Sequence, residues 1–191
     1  MVFSEKTSEI RAGNMNAIKG FVVQDGTHAN DFIYGGMRSY ITDNWQQQGS
    51  RIETALEALK LAKLSYRFYY TVNTRTGGVT SVCAWKPIPV YGADLAAPFN
   101  NFSGEIQSNI NKIRLWSIFI GCLAGNGEGG TQYIMAALKR LAQSTEQALH
   151  LHSSDTAKSY YKKLGFRTFN GSIFFYIPPS VETKIFPEDL L

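Results

Sequence analysis

A glycine-rich segment, placed between an apolar run and an amphipathic helix, constrains the fold of this chain most. Residues 113–120 predict a buried strand, and residues 131–142 predict a helix with its apolar side chains on one face. Between them lie Gly125, Gly127, Gly129 and Gly130. Glycine lets successive backbone amides approach an anion closely, and the start of a helix adds unpaired amides and the positive end of its dipole. The segment therefore predicts a pyrophosphate-binding loop.

Two other interpretations of this loop exist. Gly125, Gly127 and Gly130 also match the spacing of the dinucleotide-binding fingerprint. That fingerprint requires an acidic residue at the end of the next strand, but the predicted strand at residues 148–152 ends in histidine. The helix and antiparallel hairpin before the loop also differ from a Rossmann unit, so we disfavour this interpretation. A glycine-rich loop that binds no ligand stays open.

The region before the loop predicts a helix and a hairpin. Ser50 and Glu53 have the spacing of a capping box, and apolar residues then recur at helical spacing. Residues 66–73 and 79–85 predict an antiparallel hairpin, which Pro87 and Pro89 are expected to end.

The sequence patterns in the remaining parts of the first half are weaker. Residues 22–23 predict a first strand, and residues 32–45 predict a helix or a loop on the substrate side. Residues 91–109 predict a long loop, and long loops in compact domains are often functional. Aromatic residues of these regions are candidates to line a substrate site, although core packing is their default: Phe32, Tyr34, Tyr40, Trp45, Tyr91 and Phe99.

A second informative segment begins at Ser154, about thirty residues after the first glycine of the loop. Ser154 is a predicted N-cap of a helix over residues 155–164, and Ala157, Tyr160, Tyr161 and Leu164 recur at helical spacing. Gly165 is expected to end this helix in the left-handed conformation. Residues 166–169 and 172–177 then predict a closing hairpin.

Together, the glycine loop and the segment from Ala157 through Tyr161 to Gly165 and Phe166 resemble the GNAT-type N-acetyltransferase superfamily. The resemblance covers residues 113–177. It implies an α/β fold with three layers, αβα, around a central mixed and splayed sheet. It also implies a single domain over residues 1–191, with the acceptor side in residues 1–110 and the CoA-binding half in residues 111–177.

The resemblance implies acetyl-CoA or another acyl-CoA as cofactor. No metal is expected, because Cys83 and Cys122 have no further cysteine near them. The backbone of the strand end would pair with the pantetheine arm, and the loop with the diphosphate. The residues expected to bind the cofactor are Phe119, Ile120, Gly121, Cys122, Ala124, Gly125, Asn126, Gly127, Gly129, Gly130, Thr131, Ser154 and Lys158.

Two catalytic roles follow from the same resemblance. Tyr161 would donate a proton to the leaving thiolate of CoA. A base must also remove a proton from the amine acceptor. Glu105 is predicted to be this base, and Asp94, His150 and His152 remain open as alternatives.

Three residues depart from the family pattern. Ala124 stands where the loop usually opens with Arg or Gln, and Ser154 stands where Asn is common. Glu128 adds a negative charge beside an anion site, which weakens diphosphate binding unless the carboxylate points to solvent. The chain therefore reads as a divergent N-acyltransferase, and the alternative is an inactive domain of the same fold that senses a ligand or binds a protein. A third hypothesis is transfer of a longer acyl chain.

Composition limits the partners and the compartment. The net charge is +4 with scattered basic residues, which favours solvated helix faces over a nucleic-acid patch. Cys83 and Cys122 lie in separate apolar runs, so a reducing cytoplasm is expected. Residues 1–10 lack the apolar core of a signal peptide, and no apolar run reaches the ~20 residues of a membrane span. The expected acceptor is an amine on a small molecule or protein, or an aminoacyl-RNA; a homodimer stays open.

Overall fold

The computed structural model describes residues 20–45, 49–91, 102–170 and 172–190. Their strands form one seven-stranded mixed sheet in the order β1-β2-β3-β4-β5-β7-β6. The strands are β1 (Phe21–Asp25), β2 (Arg67–Asn73), β3 (Val79–Pro89), β4 (Trp116–Gly125), β5 (Ala148–His152), β6 (Arg167–Asn170) and β7 (Ile173–Tyr176). The helices are α1 (Asp31–Asn44), α2 (Ser50–Leu64), α3 (Gly104–Ile113), α4 (Thr131–Thr145), α5 (Lys158–Lys163) and α6 (Pro179–Ile185).

The chain divides into two compact units, and the division passes through β3, β4 and α4. The first unit consists of residues 1–86 and 121–137, and the second of residues 87–120 and 138–191. The prediction that residues 1–191 form a single domain stays a prediction. Among the described residues, none of the helices combines the length and the apolar character that a membrane crossing requires.

The first unit is an antiparallel meander packed against two helices. β2 pairs with β1 and with β3 in antiparallel register. Val22, Phe68, Tyr70 and Val82 alternate along these strands and form a core with α1 and α2. Alternation of this kind places every second side chain on the same face of a sheet. The predicted hairpin and the first strand are confirmed.

Two local predictions about α2 and β3 were wrong. The predicted capping box does not form, because Gly49 is the N-cap of α2 and Ser50 is already helical, without a capping side-chain bond. β3 also continues through Pro87 to Pro89 instead of ending before them. Prolines two residues apart lack their N–H groups on the same edge of the strand, so the opposite edge can still pair.

The second unit contains the parallel part of the sheet. β4 and β5 pair in parallel from Ser117 and Ala148 to Ile120 and Leu151, and β5 pairs antiparallel with β7. α3 and α6 pack on this part through an apolar cluster, whose fully or nearly fully buried members include Ile110, Leu115, Phe175 and Ile185. Asn109 Nδ2 donates to the carbonyl oxygen of Ile185 at 2.9 Å, which ties the two helices together.

Helix α3 corrects the prediction of a long loop over residues 91–109. Ser103 caps it by accepting a hydrogen bond from the amide of Ile106 at 3.5 Å, and Ile106 and Ile110 are buried. The helix runs to Ile113, so the following strand begins at Trp116 rather than at residue 113. Asp94 and Phe99 lie outside the described residues.

The predicted helix over residues 155–164 is divided into two parts. Residues 155–157 form a 3-10 turn, and α5 follows from Lys158 to Lys163. Ser154 precedes the turn but makes no capping bond to a backbone amide. Gly165 has a φ of +86°, which confirms the predicted left-handed end of the helix.

Candidate functional site

The glycine loop, residues 126–130, joins the end of β4 to the start of α4. Gly127 and Gly129 have φ values of +93° and +92°, a conformation that side chains disfavour. Within the described part of the chain, the backbone N–H groups of Gly127, Gly129 and Gly130 donate to no protein group. Three such donors beside a helix N-terminus are suited to bind an anion.

The start of the loop is fixed to a β-bulge in β3. Thr71 pairs with Ser81 and Val72 pairs with Val79, so Thr80 is the extra residue of the bulge. The carbonyl oxygen of Thr80 accepts a hydrogen bond from the amide of Asn126 at 2.9 Å. This bond holds the first loop residue against the sheet.

The end of the loop rests on three buried hydroxyl groups. Thr71 Oγ1 lies 2.8 Å from Thr80 Oγ1 and also forms a short hydrogen bond with Ser81 Oγ. A Cβ atom on Gly130 would lie 2.5 Å from Thr71 Oγ1, 2.7 Å from Thr80 Oγ1 and 2.9 Å from Ser81 Oγ. Gly130 is therefore required by close packing, and the cluster sets the height of the loop above the sheet.

Glu128, the residue that departs most from the family pattern, is exposed. Its carboxylate Oε2 accepts a hydrogen bond from Asn126 Nδ2 at 2.9 Å, and its amide donates to Asn126 Oδ1 at 3.1 Å. Burial raises the pKa of Tyr40, and the charge of Glu128 raises it further. The Glu128 carboxylate is thus hydrogen-bonded to Asn126 on the exposed side of the loop, where solvent screens its charge.

The last part of β4 offers backbone more than side chains. Ala124 is buried in the core with α1 and α2, so its backbone alone is available to a ligand. A Cβ on Gly121 would lie 2.8 Å from the Tyr66 ring, and a Cβ on Gly125 would lie 2.8 Å from the Thr131 methyl group. Both glycines are required by packing.

Neither cysteine is an activated nucleophile. Burial raises the pKa of the Cys83 thiol, and burial followed by the charge of Glu57 raises that of Cys122. A thiol of raised pKa carries little thiolate at neutral pH.

A row of aromatic rings crosses the second unit. Phe119 of β4 and Phe175 of β7 flank His150 of β5, with ring centroids 5.0 and 5.9 Å from the imidazole. His150 Nδ1 lies 2.6 Å from Ser117 Oγ, and burial followed by the charge of His152 lowers the pKa of His150 to about 4. With 1% of its surface exposed, His150 is a neutral core residue that an acceptor cannot reach.

His152 differs from His150 in its access to solvent. It is the last residue of β5, it is exposed, and its ring lies 6.1 Å from that of Phe119 in an edge-to-face arrangement. The parallel pairing of β4 with β5 ends one residue earlier, at Ile120 and Leu151. His152 is therefore the accessible imidazole at the carboxyl end of the parallel strands.

Tyr161 lies on α5 with 8% of its surface exposed, among the rings of Tyr160, Phe166 and Phe174. These contacts hold the phenol ring in place. Proton donation by Tyr161 to the thiolate of CoA stays a prediction.

The other predicted residues of the second unit are on its surface. Lys158 Nζ forms an ion pair with Asp155 at 2.7 Å, and Ser154 Oγ lies 3.2 Å from Thr156 Oγ1. Glu105 is exposed in the first turn of α3 and makes no ion pair or side-chain hydrogen bond within the described residues.

The hydroxyl cluster beneath Gly130 is the main feature that the sequence analysis missed. Its signal is present: Thr71, Thr80 and Ser81 are polar residues inside strands that are otherwise apolar. Of the residues predicted to line a substrate site, Tyr34 and Trp45 are buried in the core, whereas Tyr40 and Tyr91 are half-buried and Phe32 is exposed.

No protein-family model and no curated protein matches this chain. Solved structures do match it. Arabidopsis thaliana NAA60 in complex with a bisubstrate analogue aligns with a TM-score of 0.53 at 10% identity, over 83% of this chain and 98% of that chain. FeeM, an N-acyl amino acid synthase from uncultured soil microbes, aligns with a TM-score of 0.52 at 11% identity, over 90% and 98%.

A GNAT family acetyltransferase from Brucella melitensis in complex with acetyl-CoA aligns with a TM-score of 0.50 at 14% identity, over 82% of this chain and 87% of that chain. At such identities the likeness establishes the fold and nothing finer. The chain has the GNAT fold, which confirms the predicted α/β architecture with a mixed sheet.

Proposed function

We propose that this protein is an acyl-CoA-dependent N-acyltransferase. The observation that carries the proposal is the set of backbone amides at Gly127, Gly129 and Gly130, which donate to no group of the described residues and adjoin the start of α4. Diphosphate is the anion that such a loop suits best. The GNAT fold of the chain and the cofactors held by the matched structures support CoA as the carrier of that diphosphate.

The residues of the first unit fit this cofactor. Gly127 and Gly129 leave the loop without side chains, and Thr80 and Asn126 hold its start in place. The pairing of β4 with β5 ends at Ile120, whereas β4 itself continues to Gly125. Backbone groups of residues 121–125 would then pair with the amides of the pantetheine arm, as an added strand would. Bound acyl-CoA would supply the activated thioester.

His152 is the base that we propose in place of Glu105. An amine acceptor must lose a proton to become a nucleophile, and the unprotonated ring nitrogen of a histidine can accept that proton. His152 is exposed and adjoins Phe119, in the stretch of β4 predicted to meet the thioester, whereas the imidazole of His150 is buried. Tyr161 is proposed to hold the proton that the departing thiolate takes up.

Calorimetry with acetyl-CoA and desulfo-CoA tests the proposal. We expect both to bind, with dissociation constants below about 1 mM. Gly127→Asp places a carboxylate in the loop and should weaken binding about tenfold or more. Gly104→Asp adds the same charge at an exposed glycine of α3 and should leave affinity unchanged. Absence of binding to the wild-type protein at millimolar cofactor would reject the proposal, and binding without turnover of any amine would favour the inactive alternative.

Replacing His152 tests the proposed base. His152→Ala should lower kcat/KM for an amine acceptor by about 100-fold, because general-base catalysis contributes at least that factor. CoA affinity should not change, and the loss should shrink at high pH, where the free amine is abundant. Tyr161→Phe should slow turnover without abolishing it. If Glu105→Gln matches the loss and His152→Ala does not, the assignment of the base is wrong.

The nature of the acceptor and of the acyl group is part of the proposal. We propose an amine of a small molecule or protein as acceptor and acetyl as the acyl group. A thermal-shift series over acyl chain lengths distinguishes acetyl from longer groups, since the tightest ligand raises the melting temperature most.

A further inference from the structure

An open groove of about 500 Å³ runs between helices α1 and α2 in the first unit. The buried side chains of Tyr34 and Leu59 form part of its lining, together with half-buried Leu56. We call this face the helix-pair surface; it comprises the groove and Phe32 of α1. None of the contacts described above for the proposed cofactor site uses it.

Two consecutive glycines in α1 are not required by any contact with the described residues. A Cβ atom on Gly35 or Gly36 would meet nothing within 4 Å, and neither has a positive φ. Glycine inside a helix costs about 1 kcal/mol relative to alanine. Gly35 lines the groove, so the missing side chain lets a second molecule approach the backbone of α1 closely.

The helix-pair surface also carries the two most exposed large apolar side chains of the described residues. Phe32 is 72% exposed and Leu64 is 71% exposed. Leu64 lines the groove, and Phe32 lies one helical turn before Gly35, which also lines it. A projecting ring and a groove therefore lie side by side, the combination that a self-complementary contact requires.

The charges around the groove balance one another. Three acidic and three basic residues line it: Asp31, Glu53, Glu57, Arg38, Lys60 and Lys63. Asp31 and Lys63 form an ion pair at 3.3 Å, and the remaining four make no ion pair within the described residues. A nucleic acid or a strongly charged protein would favour a surface of one sign, whereas a balanced surface can complement a copy of itself.

We propose that the helix-pair surface binds a second copy of this chain in a twofold-symmetric dimer. Phe32 of each copy enters the groove of the other, and Gly35 and Gly36 allow the two α1 helices to cross closely. The unpaired charges at the rim meet opposite charges of the partner. This proposal does not depend on the proposed enzymatic function.

Sedimentation equilibrium over protein concentrations from about 1 µM to about 1 mM tests the dimer. We expect the wild-type protein to self-associate as a dimer. Phe32→Lys removes the projecting ring and Gly35→Phe fills the groove, so each should raise the dimer dissociation constant at least about tenfold. Trp116→Lys is the matched control, because Trp116 is 40% exposed and lies in the second unit.

The control variant should dimerise as the wild type does, and circular dichroism melting should show that all variants fold. Higher salt should weaken the dimer, because the rim charges are exposed. A wild-type monomer at every concentration would overturn the proposal. A dimer that Phe32→Lys and Gly35→Phe leave intact would overturn it equally, since another surface would then form the contact.

Discussion

Gly130→Ala is expected to lower the free energy of unfolding by about 2 kcal/mol, the cost of inserting a methyl group into a packed interior. The added Cβ would lie 2.5 to 2.9 Å from three buried hydroxyl oxygens. These oxygens belong to short, buried side chains that are hydrogen-bonded to one another, so moving one of them aside breaks those bonds. Urea denaturation measures the loss directly, without reference to activity.

Two further variants make the Gly130 prediction specific. Gly104→Ala also places a methyl group on a glycine, but at an exposed position with nothing within 4 Å, so it should not lower the free energy of unfolding. Thr71→Ala removes the nearest hydroxyl and should recover part of the loss when combined with Gly130→Ala. If Gly130→Ala is as harmless as Gly104→Ala, the hydroxyl cluster does not set the position of the loop.

The same change reports on the proposed function. Because Gly130 ends the loop, displacing it should move the amides of Gly127 and Gly129 and weaken CoA binding about tenfold. A stability loss without a change in affinity would leave the packing argument intact and count against the loop as the diphosphate site.

Local patterns explain why much of the fold was predictable. Strand β5 and the glycine-terminated helix before β6 follow from apolar alternation and from the left-handed Gly165. Helix α3 was not predicted because glycine and asparagine around it are typical of a loop. Its signal is nevertheless present, since Ser103 caps the helix and Ile106 and Ile110 form its buried face.

The hydroxyl cluster could not be predicted in the same way. It depends on the bulge at Thr80, which turns both Thr80 and Ser81 toward Gly130, a residue fifty positions later in the chain. The register of a strand pair is a long-range property, so no local pattern contains it. The choice of His152 over His150 has the same origin, since it depends on which end of β5 is exposed.

The stability of this protein should fall steeply between pH 6.5 and pH 4, in large part because of His150. Burial, followed by the charge of His152, lowers the pKa of His150 to about 4, whereas an unfolded chain binds the same proton near pH 6.5. As the pH falls through this range, the unfolded state binds a proton at this histidine and the native state does not, so the free energy of unfolding decreases. The gap corresponds to on the order of 3 kcal/mol.

His150→Phe combined with Ser117→Ala tests this source of acid sensitivity. Phenylalanine keeps a ring between Phe119 and Phe175, and removing the Ser117 hydroxyl avoids a buried donor without a partner. The free energy of unfolding of the double variant, measured by urea denaturation across this range, should fall less than that of the wild type. His28→Gln, at an exposed histidine, should keep the wild-type slope. Equal slopes in the double variant and the wild type would show that His150 takes up its proton in the native state, and that the aromatic row of the second unit admits a charged imidazole.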